Sequence, residues 1–126
     1  MTACPAASPP AALAGRAVLL VEDDYFIVKQ LRRCFEQAGA LVLGPASNVP
    51  DALAIVRSAP RIDGAVLDVN LQGEMVFPVA DALAERGVRF VFATGYDPVE
   101  IPPRHGAVRH CGKPVDAARV AEALFG

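Results

Sequence analysis

Several features that mark other classes of protein are missing from this sequence of 126 residues. No apolar run approaches the roughly 18 residues that a membrane-spanning helix needs. The formal net charge is only -2 and the basic residues form no stripe, so no nucleic-acid-binding surface is predicted. Residues 1–15 contain neither lysine nor arginine, which argues against a secretory signal peptide. We therefore expect a cytoplasmic protein that binds neither a membrane nor nucleic acid.

Cysteine is scarce and forms no recognisable pattern. The three cysteines, Cys4, Cys34 and Cys111, are an odd number, and none lies at the short spacing that is typical of metal ligands. The simplest interpretation is that they are reduced thiols, as expected in the cytoplasm. Cys34 also falls on the apolar stripe of a predicted helix, which favours a place in the core.

Apolar residues are plentiful, at 53% of the chain, and this is enough for the packed core of a single domain. Residues 1–15 are rich in alanine and proline, and we predict that they form a disordered N-terminal tail. The folded domain is expected to cover residues 16–126.

Strand and helix patterns alternate along this domain, which is typical of an α/β fold. Continuous apolar runs indicate strands that are buried on both faces, as in a parallel sheet. The predicted strands are residues 18–21, 41–44, 64–68, 89–93 and 107–112. Helices are predicted from about residue 24 to the stop at Gly39, and over residues 51–58, 77–85 and 116–125.

The segment from Gly95 to Gly106 breaks the alternation. It contains Pro98, Pro102 and Pro103, and proline removes a backbone donor and restricts the residue before it. We therefore predict a loop, or at most one helical turn, between the fourth and fifth strands.

Polar residues follow four of the predicted strands at the point where each strand ends. Residues 22–24 are Glu-Asp-Asp, Asp68 ends the third strand, Thr94 follows the fourth, and Lys113 follows the fifth. The carboxyl ends of parallel strands meet at one edge of a sheet, and α/β proteins bind their ligands there. Carboxylates, a hydroxyl and an ammonium at one edge can hold a divalent cation and a phosphoryl group.

Taken together and in this order, these motifs resemble the receiver domain of two-component response regulators, over residues 16–126. Residues 92–96, Phe-Ala-Thr-Gly-Tyr, are similar to the Phe-Ala-Thr-Gly-any-Tyr signature of a branch of single-domain receivers, although Tyr96 follows Gly95 directly. The resemblance implies a doubly wound, five-stranded parallel sheet with the flavodoxin-like order 2-1-3-4-5. It also implies a fourth helix that is short or absent.

The resemblance assigns the phosphoryl chemistry to three residues. Asp68 is the candidate phosphoacceptor, since a carboxylate can form an aspartyl phosphate. Thr94 would donate its hydroxyl to the phosphoryl group, and Lys113 would pair first with Asp68 and then with the phosphate. Lys113 is one of only two lysines beside ten arginines, and its bond to Pro114 is expected to be cis. Alone, each residue also fits an ordinary place at a strand end.

The resemblance also implies a Mg²⁺ site. Asp23, Asp68 and the backbone carbonyl of Asn70 would bind the ion directly, and Glu22 would act through water, in keeping with the oxygen ligands and retained waters of Mg²⁺. The alternative is that acids simply favour the start of a helix. Asp24 fits that alternative and is expected to be a helix cap.

His110 is the main departure from the family pattern, since many receivers carry tyrosine or phenylalanine at this place. The conformational change on activation would then depend on Tyr96 or on His110, the latter with pH sensitivity. The plainer interpretation is that His110 is a strand residue half-covered by the last helix. His105, in the proline-rich loop, is assigned no role.

The predicted function is that of a stand-alone response regulator receiver. A sensor histidine kinase would transfer a phosphoryl group to Asp68, and the signal would pass by protein–protein contact to an unknown downstream protein. The expected docking surface combines residues 95–106 with the faces around the fifth strand and the last helix. The protein would be a phosphoacceptor with slow self-dephosphorylation rather than an enzyme.

Two other functions fit parts of the pattern. A receiver-like scaffold that is never phosphorylated would use the same surface, but such proteins usually lose one of the key residues, which are all present here. A phosphohydrolase with an aspartyl intermediate needs a second acid two residues after its nucleophile. This chain has Asn70 at that place.

Overall fold

The computed structural model describes residues 11–95 and 100–126. Its five-stranded parallel sheet has the order 2-1-3-4-5, as predicted. The strands are β1 (Ala17–Val21), β2 (Leu41–Ala46), β3 (Gly64–Asp68), β4 (Arg89–Thr94) and β5 (His110–Gly112). The predicted α/β fold class and its flavodoxin-like strand order are therefore confirmed.

Four helices connect and cover these strands in the described part of the chain. They are α1 (Tyr25–Gln37), α2 (Val49–Ser58), α3 (Phe77–Arg86) and α4 (Ala117–Phe125). Each lies within a few residues of its predicted position. Among the described residues, no helix has the length and apolar character needed to cross a bilayer.

The sheet separates two apolar layers, which explains why its strands are apolar without alternation. On one face, α1 and α4 pack against the inward side chains of β1, β3 and β4, such as Leu20 and Val66. On the other face, α2 and α3 pack against the intervening residues, such as Leu19 and Leu67. Every residue of β1 and β3 is buried. A strand that is covered on both faces needs apolar side chains at every position.

The predicted cap at the start of α1 is confirmed. The carboxylate of Asp24 accepts hydrogen bonds from the backbone N–H groups of Phe26 and Ile27, at 2.9 and 3.2 Å. This satisfies donors that the helix itself leaves unpaired. Because Asp24 caps the helix, only Glu22 and Asp23 of the three acids after β1 are available to the predicted cation site.

The described part of the connection between β4 and β5 contains one turn of 3-10 helix, Pro103–His105, and no α-helix. This agrees with the prediction of a fourth helix that is short or absent. Tyr96 and Pro98 lie outside the described residues. The expectation that Tyr96 acts as a switch therefore stays a prediction.

The tail predicted over residues 1–15 is wrong at its C-terminal end. Ala11–Leu13 forms a turn of 3-10 helix, and the side chain of Leu13 is completely buried in the core. The backbone N–H of Gly15 also donates a hydrogen bond to the carbonyl of Gly39. The alanine-rich composition concealed one large apolar side chain that fills space in the core. Residues 1–10 lie outside the described residues.

The interpretation of the cysteines holds only in part. Cys111 is a free, buried thiol, and burial raises its pKa. Cys34 is disulfide-bonded, so the interpretation that all three cysteines are reduced thiols is wrong for this residue. Cys34 does lie in the core, as its position on the apolar stripe predicted.

Candidate functional site

The strand register brings the predicted site residues to one edge of the sheet. Val21 pairs with Leu67 in β3, Asp68 pairs with Ala93 in β4, and Thr94 pairs with Gly112 in β5. The residues that follow β1, β3, β4 and β5 are therefore neighbours, as expected at the carboxyl ends of parallel strands.

Three acids form a cluster at this edge. Glu22, Asp23 and Asp68 each contribute a carboxylate oxygen, and these oxygens all lie within 4.8 Å of one another. Glu22 and Asp68 are buried, with 2% and 6% of their surface exposed, and Asp23 is half-buried. Two ionised carboxylates about 4 Å apart repel each other by roughly 4 kcal/mol at an effective dielectric of about 20. The cluster thus needs positive charge nearby.

Lys113 supplies one positive charge. Its Nζ lies 3.1 Å from Oε2 of Glu22 and 3.1 Å from Oδ2 of Asp68. Burial acts to lower the pKa of Lys113, but the carboxylates of Glu22 and Asp68 outweigh it and raise the pKa above its usual value. Lys113 therefore stays an ammonium at neutral pH.

The backbone of Lys113 is held as closely as its side chain. Its N–H donates a hydrogen bond of 2.9 Å to the carbonyl of Thr94, and its bond to Pro114 is cis, as the resemblance implied. Thr94 is half-buried at the end of β4. The residue that would donate a hydroxyl and the residue that supplies the ammonium are thus joined through the main chain.

Glu22 is the most perturbed acid of the site. Burial raises its pKa most. A hydrogen bond with Asp68 and repulsion by the charge of Asp68 raise it further, so that the pKa of Glu22 reaches about 7. The backbone N–H of Asp24, which donates to Oε1 of Glu22 at 3.2 Å, and the charge of Lys113 act in the opposite direction. Near neutral pH, a fraction of Glu22 holds a proton that a bound cation would displace.

A short hairpin after β3 positions Asn70. Its two-residue strands are Asn70–Leu71 and Glu74–Met75. The N–H of Asn70 donates to Oδ1 of Asp68 at 3.3 Å, and its amide oxygen accepts from the N–H of Gly73 at 2.6 Å. Oε1 of Glu74 accepts from the N–H of Val49, at the start of α2. Asn70 therefore lies next to Asp68, with its side chain used in the turn.

The composition of the cluster fits a divalent cation. Three carboxylates and one ammonium leave two negative charges when all are ionised, and a doubly charged ion would neutralise them. Hard oxygen ligands are those that Mg²⁺ prefers, usually one or two carboxylates together with phosphate oxygens and water. The site supplies oxygen ligands of this kind from β1 and β3.

His110 lies on β5, the edge strand of the sheet. It is exposed on β5, and its ring packs edge-to-face against Phe92, with 5.6 Å between ring centroids. His110 also borders a surface groove together with Arg119, Glu122 and Ala123 of α4, so the last helix lies beside it. The interpretation that this helix half-covers His110 stays a prediction.

Sequence reasoning missed one buried polar residue. His105 is only 4% exposed, and its Nε2 lies 2.8 Å from Oδ1 of Asp81 in α3. Its position in a proline-rich segment predicted nothing, because its surroundings depend on how that segment folds back over α3. The signal that could have drawn attention to it is the phenylalanine-rich strand β4, which needs a cover.

Comparisons with known proteins place this geometry in context. No family model matches the chain. The photosynthetic apparatus regulatory protein RegA of Cereibacter sphaeroides is 34% identical over 117 residues, which cover 89% of this chain. The chain spans 62% of the length of that curated relative.

Solved structures extend the comparison. SdrG from Sphingomonas melonis Fr1 has 36% identity and a TM-score of 0.77, over 88% of this chain and 97% of that one. A BeF3-activated conformation of SdrG, from Pseudomonas melonis Fr1, has 38% identity and a TM-score of 0.70, over 88% and 94% of the two chains. A CheY-like response regulator receiver domain protein from Methanospirillum hungatei JF-1 shares the fold at 24% identity, with a TM-score of 0.71 over 85% of this chain and 88% of that one.

Proposed function

Because this chain belongs to the receiver domain family of two-component response regulators, we propose that it accepts a phosphoryl group on Asp68 from a sensor histidine kinase. The observation that supports this best is the position of Asp68 itself. Its carboxylate lies in the acidic cluster, with Lys113 Nζ 3.1 Å from Oδ2 and the N–H of Asn70 3.3 Å from Oδ1.

The proposed reaction is a transfer between two nucleophiles. An oxygen of the ionised Asp68 attacks the phosphorus of a phosphohistidine, a P–O bond forms, the P–N bond breaks, and the departing imidazole takes up a proton. Lys113 would pair with phosphoryl oxygens, and Thr94 would donate its hydroxyl to them. Charge stabilisation of this kind is the main contribution of proteins to phosphoryl transfer.

The proposed metal is Mg²⁺. Asp23, Asp68 and the backbone carbonyl of Asn70 would hold it directly, and Glu22 through water. When bound, the ion supplies positive charge for the phosphoryl oxygens. The raised pKa of Glu22 and the close approach of the three carboxylates support an acidic cluster that is more stable with a cation than without one.

The proposed output is contact with a downstream protein, in the cytoplasm. The surface for this contact combines residues 95–106 with exposed side chains around β5 and on α4, which include Arg109, just before β5, His110 and Arg119. The aspartyl phosphate is expected to hydrolyse slowly, so the protein would act as a phosphoacceptor that resets itself rather than as an enzyme.

Phosphorylation by acetyl phosphate tests this proposal. Wild type and Asp68→Asn would be incubated with acetyl phosphate, with Mg²⁺ or with a chelator, and read by intact mass. The expected result is the gain of one phosphoryl group only in wild type with Mg²⁺. A folded wild type that gains none would favour the second function considered above, a receiver-like scaffold that is never phosphorylated.

A further inference from the structure

His105 has more contacts in the core than its place in a connecting segment would suggest. Only 4% of the residue is exposed, although it belongs to the turn Pro103–His105 between β4 and β5. A polar ring this deeply buried costs free energy unless its polar atoms have partners. The Asp81 carboxylate provides one for Nε2, at 2.8 Å.

Asp81 holds two consecutive residues of this segment. Oδ1 accepts from Nε of Arg104 as well as from His105, both at 2.8 Å, and Oδ2 accepts from Nη2 of Arg104 at 3.1 Å. The pKa of Asp81 lies below its usual value, because Arg104 and His105 both stabilise the carboxylate. A carboxylate only accepts hydrogen bonds, so Nε2 of His105 carries the hydrogen in this contact.

The ring of His105 also completes an aromatic cluster beneath the segment. It stacks on Phe77 of α3, with centroids 6.3 Å apart, and meets Phe90 and Phe92 of β4 edge-to-face at 5.8 and 6.1 Å. Phe92 in turn contacts His110 of β5, and its N–H donates to the carbonyl of Arg109. His105 therefore ties the segment to α3 and to β4 at once.

Both ends of the segment lie at the site. It leaves β4 after Thr94 and returns through β5 to Lys113, and these two residues are joined by the hydrogen bond from Lys113 N to Thr94 O. Lys113 Nζ now contacts Oδ2 of Asp68. A phosphoryl group on Asp68 would add bulk and charge at that contact, so Lys113 and Thr94 would have to adjust, and the segment with them.

We propose that Asp81 and His105 form a latch, meaning the hydrogen-bonded pair that holds the described part of the β4–β5 segment, residues 100–109, in the arrangement with Lys113 paired to Asp68. The latch opposes the adjustment that a phosphoryl group on Asp68 demands. This inference rests on the proposed function. It makes Asp81 and His105 positioning residues, which act on the site through the backbone of Thr94 and Lys113.

Beryllofluoride affinity tests the latch. Wild type, Asp81→Asn and His105→Gln would be titrated with beryllofluoride in the presence of Mg²⁺, by fluorine NMR or calorimetry. Both variants are expected to bind it more tightly, by roughly two- to thirty-fold, the range seen when residues of a coupled network are changed. Simple damage to the fold would weaken binding, so a gain distinguishes a latch from a structural role.

Two controls make the result specific. Glu36→Gln removes another carboxylate that pairs with an arginine, Arg32 at 3.4 Å, on α1 and outside the latch. Glu36→Gln should bind beryllofluoride with the same affinity as wild type. Asp81→Asn should leave the protein folded, because the Asp81 side chain is 42% exposed and can be replaced without opening the core.

Hydrogen exchange supplies an independent readout. The N–H groups of His105, Gly106 and Val108 donate to carbonyls within the segment, at 2.9 to 3.1 Å. Their exchange should accelerate in Asp81→Asn and, with beryllofluoride, in wild type. Unchanged or weaker beryllofluoride binding by both variants would overturn the latch. Failure of folded wild type to bind beryllofluoride at all would count against phosphoryl acceptance, and the latch would be rejected with it.

Discussion

The ammonium of Lys113 lies 3.1 Å from Oδ2 of Asp68, although Asp68 ends β3 and Lys113 follows β5, with β4 between the two strands. The same ammonium lies 3.1 Å from Glu22. One positive charge is thus shared between the proposed phosphoacceptor and the acid whose pKa is raised to about 7. Replacement of any one of Lys113, Asp68 and Glu22 should therefore alter the protonation and reactivity of the other two.

Replacement of Lys113 should slow phosphorylation. Lys113→Ala removes the ammonium beside Asp68, and the loss of one such charge-stabilising donor typically costs roughly a hundredfold in rate. Lys113→Arg should not restore the rate, because a planar guanidinium does not fit a site built for a compact ammonium. The rate with acetyl phosphate, followed by intact mass, provides the measurement. Lys29→Ala, which alters the exposed lysine of α1, should behave as wild type.

The stability of the metal-free protein should depend on pH through Glu22. Its folded pKa of about 7 exceeds the usual 4.5, so the protonated form is favoured by folding, and this stabilisation is lost as pH rises through 7. Relative to Glu22→Gln, wild type should lose up to about 3 kcal/mol in free energy of unfolding between roughly pH 4 and pH 8, most of it between the unfolded pKa of 4.5 and the folded pKa of about 7.

Urea denaturation in a chelator, at several pH values, measures this difference. Glu22→Gln has no titrating group at this position, and the other ionisable groups are common to both proteins. The variant therefore serves as the reference for wild type. A difference that stays constant with pH would show that Glu22 ionises in the folded protein as it does in the unfolded chain.

Mg²⁺ should stabilise the folded protein, since an ion that binds only the folded state adds about 2.7 kcal/mol at a hundred times its dissociation constant. Asp23→Asn should lose most of this effect, because one of the carboxylates of the cluster is removed. Asp24→Asn is the matched control, since Asn also caps helices well. Thermal unfolding with and without Mg²⁺ gives the comparison. Equal stabilisation of both variants would argue against Asp23 as a ligand.

Leu13→Ala tests whether the segment before β1 belongs to the core. Because Leu13 is fully buried, its truncation should lower the free energy of unfolding by about 2–5 kcal/mol. Leu41→Ala changes a leucine that is 61% exposed and should cost less than about 0.5 kcal/mol. Denaturant unfolding of the two variants should therefore differ clearly. Similar small losses would place Leu13 in a tail after all.

Much of the fold can be predicted from short patterns in the sequence. The apolar runs of β1 and β3 predict strands that are buried on both faces, because only apolar side chains at every position can satisfy two helical layers. Asp24 predicts the start of α1, because a short acidic side chain can satisfy the first N–H groups of a helix. Both features depend on neighbours in the sequence, and so the sequence alone reveals them.

The membership of the acidic cluster was likewise predictable, since parallel strands necessarily bring Glu22, Asp23 and Asp68 to one edge. The sequence could not predict that Lys113 is shared between Glu22 and Asp68, or that the pKa of Glu22 is raised as far as it is. Both depend on distances of a few ångströms and on burial. A residue type in a pattern carries no information on either.

The sequence by itself determined the order of the elements, the strand order that follows from family resemblance, and the acids, threonine and lysine at the strand ends. Only the tertiary structure decided that Leu13 fills the core and that His105 is buried against Asp81 and three phenylalanines. The physical reason is range. Helix caps and strand periodicity arise between residues that are close in the chain, whereas burial and ion pairing arise between residues that only folding brings together.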